Sequence, residues 1–168
     1  MADARKLMPF ILRWEGGFVN DPLDRGGATN KGVTIGTFQS FYPDKTVEDL
    51  KRITDIQWLN IFRAGYWEPW QADQIKNQAV ANIVVDWAWA SGARTAIRKV
   101  QELLGVSVDG LVGNETISAI NGQDAEELFD RIKVARYDFV DAIVKRDPSQ
   151  KRFINGWKNR IKSIKYEK

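Results

Sequence analysis

Residues 16–36 of this 168-residue chain cannot continue the helix that leads into them. Leu7, Phe10, Ile11 and Trp14 recur at helical spacing, so an amphipathic helix runs into Glu15. Gly16 and Gly17 are then expected to stop it, because glycine takes up the left-handed backbone of a helix C-cap without a steric cost. Asp3 could cap the start of this helix, but Pro9 lacks an N–H and crowds the preceding turn. A start near Pro9, or a kink there, is therefore expected. Past Gly17, the turn signals Gly26-Gly27 and Asn30-Lys31-Gly32 flank short extended pieces. These features predict a mainly α chain with one small β-hairpin lobe after the first helix.

The rest of the chain returns to helical periodicity. Thr46 with Asp49, and Thr54 with Gln57, form capping boxes that open helices over 47–53 and 55–66. Asn77 opens a helix with Val80, Ile83, Val84 and Trp87 on its apolar stripe, closed by Ser91-Gly92. Asp86 lies beside that stripe and needs a partner if buried; a helix N-terminus is the expected one. A further apolar face, Ala96, Ile97, Val100 and Leu103, ends at Gly105. Asp109-Gly110 reads as a tight turn with Asn114 as the next helix cap. Asp124 caps a long helix that Asp147-Pro148 terminates, and a last helix carries Phe153, Ile154, Trp157, Ile161 and Ile164, with Lys and Arg on its other face. The length suits one compact domain or two small lobes, and 43% hydrophobic residues suffice for a core.

The chain has no cysteine and no histidine. Thiol nucleophiles, Ser-His-Asp relays and the usual zinc sites are thereby excluded. Any hydrolysis must run on carboxylates, hydroxyls, lysine or an oxygen-ligated metal; no catalytic metal and no cofactor are expected. Glu15 would stand at the carbonyl end of its helix beside an indole. The helix macrodipole and desolvation both favour the protonated form of a carboxyl placed there, which is what a general acid requires. The competing reading is a solvated last-turn glutamate, and spacing alone does not separate the two. The following segment adds Asp21, Asp24, Thr29 and Thr34. An acid at a helix end followed by a hairpin with a second carboxylate and hydroxyls is a glycosidase arrangement. The aromatic cluster Tyr66-Trp67-Glu68-Pro69-Trp70 reads either as core packing at a proline stop or as a sugar platform in a groove wall, with Trp67 and Trp70 as the stacking faces.

The run Glu15-Gly-Gly-Phe, Asn20-Asp-Pro, Asp24, Gly26-Gly-Ala-Thr-Asn and Gly32-Val-Thr resembles the N-terminal signature of the glycoside hydrolase family 108 muramidases. These belong to the lysozyme-like superfamily and include phage endolysins and secretion-associated muramidases. Asp109-Gly110-x-x-Gly113-x-x-Thr116 is similar to the turn of peptidoglycan-binding helical modules. The resemblance implies a lysozyme-like fold, peptidoglycan as substrate and Glu15 as catalytic acid. It places a catalytic region at 1–92 and a helical peptidoglycan-binding-like region at 93–168, packed with the first into one compact unit. Asp24, or Asp21, would stabilise the oxocarbenium-like centre or orient water, and Thr29, or Thr34, would hold that water. Asp21, Asn30, Thr34, Trp67 and Trp70 are the expected substrate contacts.

The formal charge of +3 is unevenly spread, with nine Lys/Arg against two Asp/Glu over 145–168. A solvated helix face, nucleic acid and an anionic wall polymer all fit such a run. No nucleic-acid motif accompanies it, so the wall polymer is expected and nucleic acid is not. No apolar run is long enough to span a bilayer, and the stretch 7–12 is too short, and followed by the wrong residues, for a secretory signal. The expectation is therefore a monomer made in the bacterial cytoplasm, without stable membrane insertion, that acts at the cell wall or periplasm after release through lysis or a holin-like pore. A non-catalytic cell-wall-binding protein, a basic helical nucleic-acid binder and a lytic transglycosylase are the rival readings.

Overall fold

The computed structural model describes residues 1–23 and 26–167 of the chain, which is mainly helical. It divides into two compact units, one formed by Ala4–Gly65 and the other by Met1–Asp3 with Tyr66–Lys168. By packing, the division falls at 65/66. The reason is helix α5, Gln78–Ser91, which buries nine residues, Trp87 and Asp86 among them. A helix apolar on nearly all sides belongs inside a core, and α5 packs on α6 (Ala93–Leu104) and α8 (Ala125–Arg146). It cannot be parted from the chain that follows it.

The smaller unit begins with α1, Ala4–Trp14, which starts before Pro9 and runs through it. The expected late start is overridden because Ala4, Leu7 and Ile11 are all buried on one side. Pro9 removes a single helix hydrogen bond on the exposed side. Three further helices follow: α2 (Ile35–Phe41), α3 (Val47–Lys51) and α4 (Asp55–Phe62). Both capping boxes form as expected: Thr46 and Asp49 serve α3, and Thr54 and Gln57 serve α4. The chain leaves α4 through a wider π-helical turn, Arg63–Trp67. Phe38, Leu50, Trp58 and Phe62 fill the interior, with Trp58 and Phe62 stacked at 5.0 Å.

Strands β1 (Thr29–Asn30) and β2 (Val33–Thr34) pair antiparallel, Thr29 opposite Thr34 and Asn30 opposite Val33. Lys31 at φ 52° and Gly32 at φ 79° make the two-residue loop a type I′ turn, whose twist matches that of the strands. Asn30 is buried, and its amide nitrogen donates to the Leu50 and Lys51 carbonyls at 3.0 and 3.1 Å. Those carbonyls lie at the C-terminal end of α3, where the Leu50 carbonyl also accepts from the Ile53 N–H at 3.1 Å. The Trp58 indole N–H donates to the Lys31 carbonyl at 3.0 Å. Asn30 and Val33 therefore fasten one face of the hairpin to α3 and α4, while Thr29 and Thr34 stand on the other face.

In the larger unit, Asn77 caps α5 by accepting from the Val80 N–H at 3.0 Å. Gly105, at φ 72°, ends α6 in the left-handed conformation. Helix α7, Asn114–Asn121, takes Gly113 as its N-cap, so Asn114 is its first helical residue instead of the expected cap. Asp124 caps α8, accepting from the Glu127 N–H at 2.9 Å. Asp147 ends α8, and a short 3-10 turn, Pro148–Phe153, leads to α9, Ile154–Ser163. The buried Gln101 shapes the 109–111 turn: its carbonyl oxygen accepts from the Asp109 and Gly110 N–H groups at 3.1 and 3.0 Å, and its amide donates to the Leu111 carbonyl at 2.9 Å. The Leu111 N–H, and then the Gln101 amide, hold the Asp109 carboxyl below the usual carboxylate range.

Asp86 is fully buried, and its partners are two arginines, not a helix N-terminus. Arg136 of α8 approaches it at 3.0 Å and Arg160 of α9 at 2.7 Å. Burial pulls the Arg136 pKa below its ordinary value, and Asp86 acts against that shift. Arg160, expected on the basic solvent face, turns inward with its side chain 15% exposed. Its neighbour Lys158 pairs with Asp141 at 2.7 Å in a largely solvated bridge.

Asp86→Ala should cost about 3–5 kcal/mol in urea denaturation, because it leaves buried Arg136 unpaired. Lys158→Ala, at the exposed pair, should cost under about 1 kcal/mol. Asn30→Ala should lower stability by about 1–3 kcal/mol, since it strips two α3 carbonyls of their buried donor.

Candidate active site

Glu15, Asp21, Thr29, Asn30 and Thr34 all belong to the smaller unit. Glu15 is the first residue past α1; its N–H still donates to the Ile11 carbonyl at 3.2 Å, and it is half-buried. Helix termination differs from the expectation. Neither Gly16 nor Gly17 is among the glycines with positive φ. Instead the chain is captured by the hairpin. The Lys31 N–H donates to the Gly16 carbonyl at 3.1 Å, and Val19 and Thr29 exchange backbone hydrogen bonds at 2.9 and 2.8 Å. No heavy atom lies within 4 Å of where a Cβ would stand on Gly16 or Gly17. The strand leaving Glu15 thus offers bare backbone, open to an approaching ligand.

Cross-strand partners share a face, so Val19, Thr29 and Thr34 stand together on the outward side of this small sheet. The Thr34 hydroxyl is occupied: it accepts from the Thr37 N–H at 3.2 Å and donates to the Thr37 hydroxyl at 3.1 Å, capping α2. Thr29 is half-buried and lies between Val19 and Thr34. Asp21 is exposed, and its carboxylate accepts from the Leu23 N–H at 2.9 Å, closing a local Asx turn. Asp24 lies outside the described residues. Asn30, expected to touch substrate, points inward, with its amide nitrogen committed to α3.

Trp67 and Trp70 lie in the larger unit, both fully buried. The Trp67 indole N–H donates to Asp73 at 2.8 Å. Neither ring has a face open to solvent, so both pack as core and not as a sugar platform. The indole that is exposed is Trp14, at 39%, immediately before Glu15. The spacing of Leu7, Ile11 and Trp14 gave no signal for this, since it puts Trp14 on the same stripe as the buried residues. Among the described residues no group of three or more Asp or Glu side chains converges as a metal site, and no helix is long and apolar enough to cross a membrane.

Known proteins relate to this geometry as follows. Residues 8–92 match the sequence model of the family described as "Glycosyl hydrolase 108", and residues 95–162 match one described as "Predicted Peptidoglycan domain". No curated protein matches the chain. Among solved structures, Brucella abortus SagA superposes with a TM-score of 0.77 at 29% sequence identity, over 96% of this chain and 90% of that one. The mainly helical fold with its small hairpin is thus the lysozyme-like one. The stretch that carries Glu15, Thr29 and the hairpin lies inside the first match, and the chain belongs to the glycosyl hydrolase 108 family as a peptidoglycan hydrolase.

Proposed function

We propose that this protein is an N-acetylmuramidase, cutting glycan strands between N-acetylmuramic acid and N-acetylglucosamine with Glu15 as general acid. The observation that carries this reading is the capture of the chain just past Glu15: the Lys31–Gly16 hydrogen bond and the Val19–Thr29 bridge hold a hairpin face of hydroxyls next to the carboxyl-bearing end of α1. Glu15 protonates the glycosidic oxygen as the bond to the anomeric carbon breaks. The oxocarbenium-like centre is met from the other side by water or by a carboxylate. Asp24 supplies that carboxylate, since Asp21 is engaged in its own turn. Thr29 positions the water, since the Thr34 hydroxyl serves α2. The exposed Trp14 gives an apolar sugar face something to rest on beside the acid.

Glu15→Gln keeps size and polarity but cannot donate a carboxyl proton. It should stay folded and lose at least about 10²-fold in the rate of wall lysis. Near-wild-type clearing of purified walls by the folded variant would remove Glu15 from the mechanism. A protein that binds walls without clearing them, with or without Glu15, would be a binder and not an enzyme.

The two aspartates separate by what each substitution costs. Asp24→Asn should reduce rate more than Asp21→Asn, while Asp21→Asn should lower the melting temperature more, because it opens the Leu23 turn. If Asp24 orients water, the product is inverted. NMR of the first-formed reducing end reads this directly; a retained anomer would give Asp24 a nucleophilic or purely electrostatic role instead.

A further inference from the structure

The strand that leaves Glu15 has one edge paired and one edge free. Val19 and Thr29 exchange both backbone hydrogen bonds, at 2.9 and 2.8 Å, so the Val19 N–H and C=O point at β1. Backbone groups alternate along a strand, and those of Phe18 and Asn20 therefore point to the opposite edge. Among the described residues nothing bonds to the N–H or C=O of either. The edge is accessible: Gly16, Gly17 and Asn20 are exposed, and Val19 is 55% exposed. It is also held in place. The Phe18 ring lies under the Lys51 ammonium of α3 at 5.6 Å, on the side of the hairpin that Asn30 fastens. The Lys31 N–H bonds to Gly16 and not to Gly17, which leaves one extra residue on this strand before Phe18. No proline or charged side chain stands between Gly16 and Asn20 to block pairing with another chain.

We infer that this edge binds the start of the peptide stem carried by muramic acid, as a short parallel strand. The lactyl carbonyl accepts from the Phe18 N–H, the first alanine lies alongside Phe18, and the N–H of the second stem residue donates to the Phe18 carbonyl. This is strand addition to a sheet edge. Position chooses the occupant. Phe18 stands at most about 10 Å along the strand from Glu15, and the lactyl group sits on the same ring whose anomeric bond Glu15 cleaves. Between them, Gly16 and Gly17 have open space where a Cβ would stand. Direction follows from the same placement: with the sugar at Glu15, the stem runs away from the acid, parallel to residues 16–20. A glycan alone does not fit the edge. An N-acetyl group is a single trans amide, whose N–H and C=O point opposite ways, so it meets only one of the two Phe18 groups. The inference rests on cleavage at muramic acid, as proposed above.

The test uses the full chain with Glu15→Gln, so that the ligand stays uncut. Three synthetic tetrasaccharides are titrated: a muramic-acid strand with L-alanine methylamide on its lactyl groups, the same strand with L-alanine dimethylamide, and an N-acetylglucosamine strand without lactyl groups. Affinity is read by calorimetry and the site by hydrogen exchange of the Phe18 amide in NMR. The methylamide strand should slow that exchange, and the N-acetylglucosamine strand should not. The dimethylamide strand lacks the N–H for the Phe18 carbonyl and should bind about fivefold more weakly, the scale of one hydrogen bond. Replacing the Gly17–Phe18 amide by an ester removes the Phe18 donor and keeps the ring. It should weaken the methylamide strand by a similar factor and leave the N-acetylglucosamine strand within about twofold. Equal affinity for the methylamide and dimethylamide strands, or unchanged Phe18 exchange, would overturn the proposal. So would slowing by the N-acetylglucosamine strand, or by raised protein concentration alone, which would give the edge to an N-acetyl group or to a second copy. Wild-type lysis by Glu15→Gln would count against the acid assignment alone, because the edge is read by binding.

Discussion

A buried polar group without a partner costs more than most single contacts return, and three side chains meet that requirement for much of this fold. Asn30 serves the exposed end of α3 and so fixes the hairpin against the helices of the smaller unit. Asp86 accepts from Arg136 and Arg160, which ties α5 to both α8 and α9. Gln101 holds the 109–111 turn from below. Apolar packing makes each unit compact. These polar centres specify which strand faces which helix, because an alternative arrangement would leave a carboxylate, a guanidinium or an amide buried and unpaired.

The hairpin shows how such a centre bears on chemistry. Its outward face can approach the segment after Glu15 only because its inward face is held by Asn30 and by the Trp58 indole. The register is equally consequential. A slip of one residue would turn Thr29 and Thr34 inward and Asn30 outward. The type I′ turn at Lys31-Gly32 sets the register that keeps the hydroxyls on the open side.

Much of this was legible in the sequence where the signal is local. The helices with capping boxes or glycine stops, the hairpin after the first helix and the Glu15 signature all follow from short-range pattern. What was not legible depends on contacts between residues far apart in the chain. Asn30 looked like a substrate contact because its partners at 50 and 51 follow only from the folded packing. Arg160 sits among lysines on a basic helix, and nothing local marks it as the one that turns to a carboxylate 74 positions away. Trp67 and Trp70 fitted a core better than a platform, but an indole serves both, so sequence alone left the platform open. Pro9 argued for a late helix start, but burial of Ala4, Leu7 and Ile11 outweighs one missing hydrogen bond. That the helices on either side of Gly92 pack in one unit is likewise a matter of contacts that no local pattern reveals.

In the proposed reaction Glu15, at the end of α1, is the general acid for hydrolysis of the glycan at the muramic acid bond. Mass analysis of the fragments released from purified peptidoglycan tests it most directly, because it reports the bond, the product end and the activity together. The account predicts fragments ending in reducing N-acetylmuramic acid, each carrying the added water. Fragments ending in an anhydro sugar would make the protein a lytic transglycosylase, and fragments ending in reducing N-acetylglucosamine, or freed peptides with the glycan intact, would contradict the assigned bond.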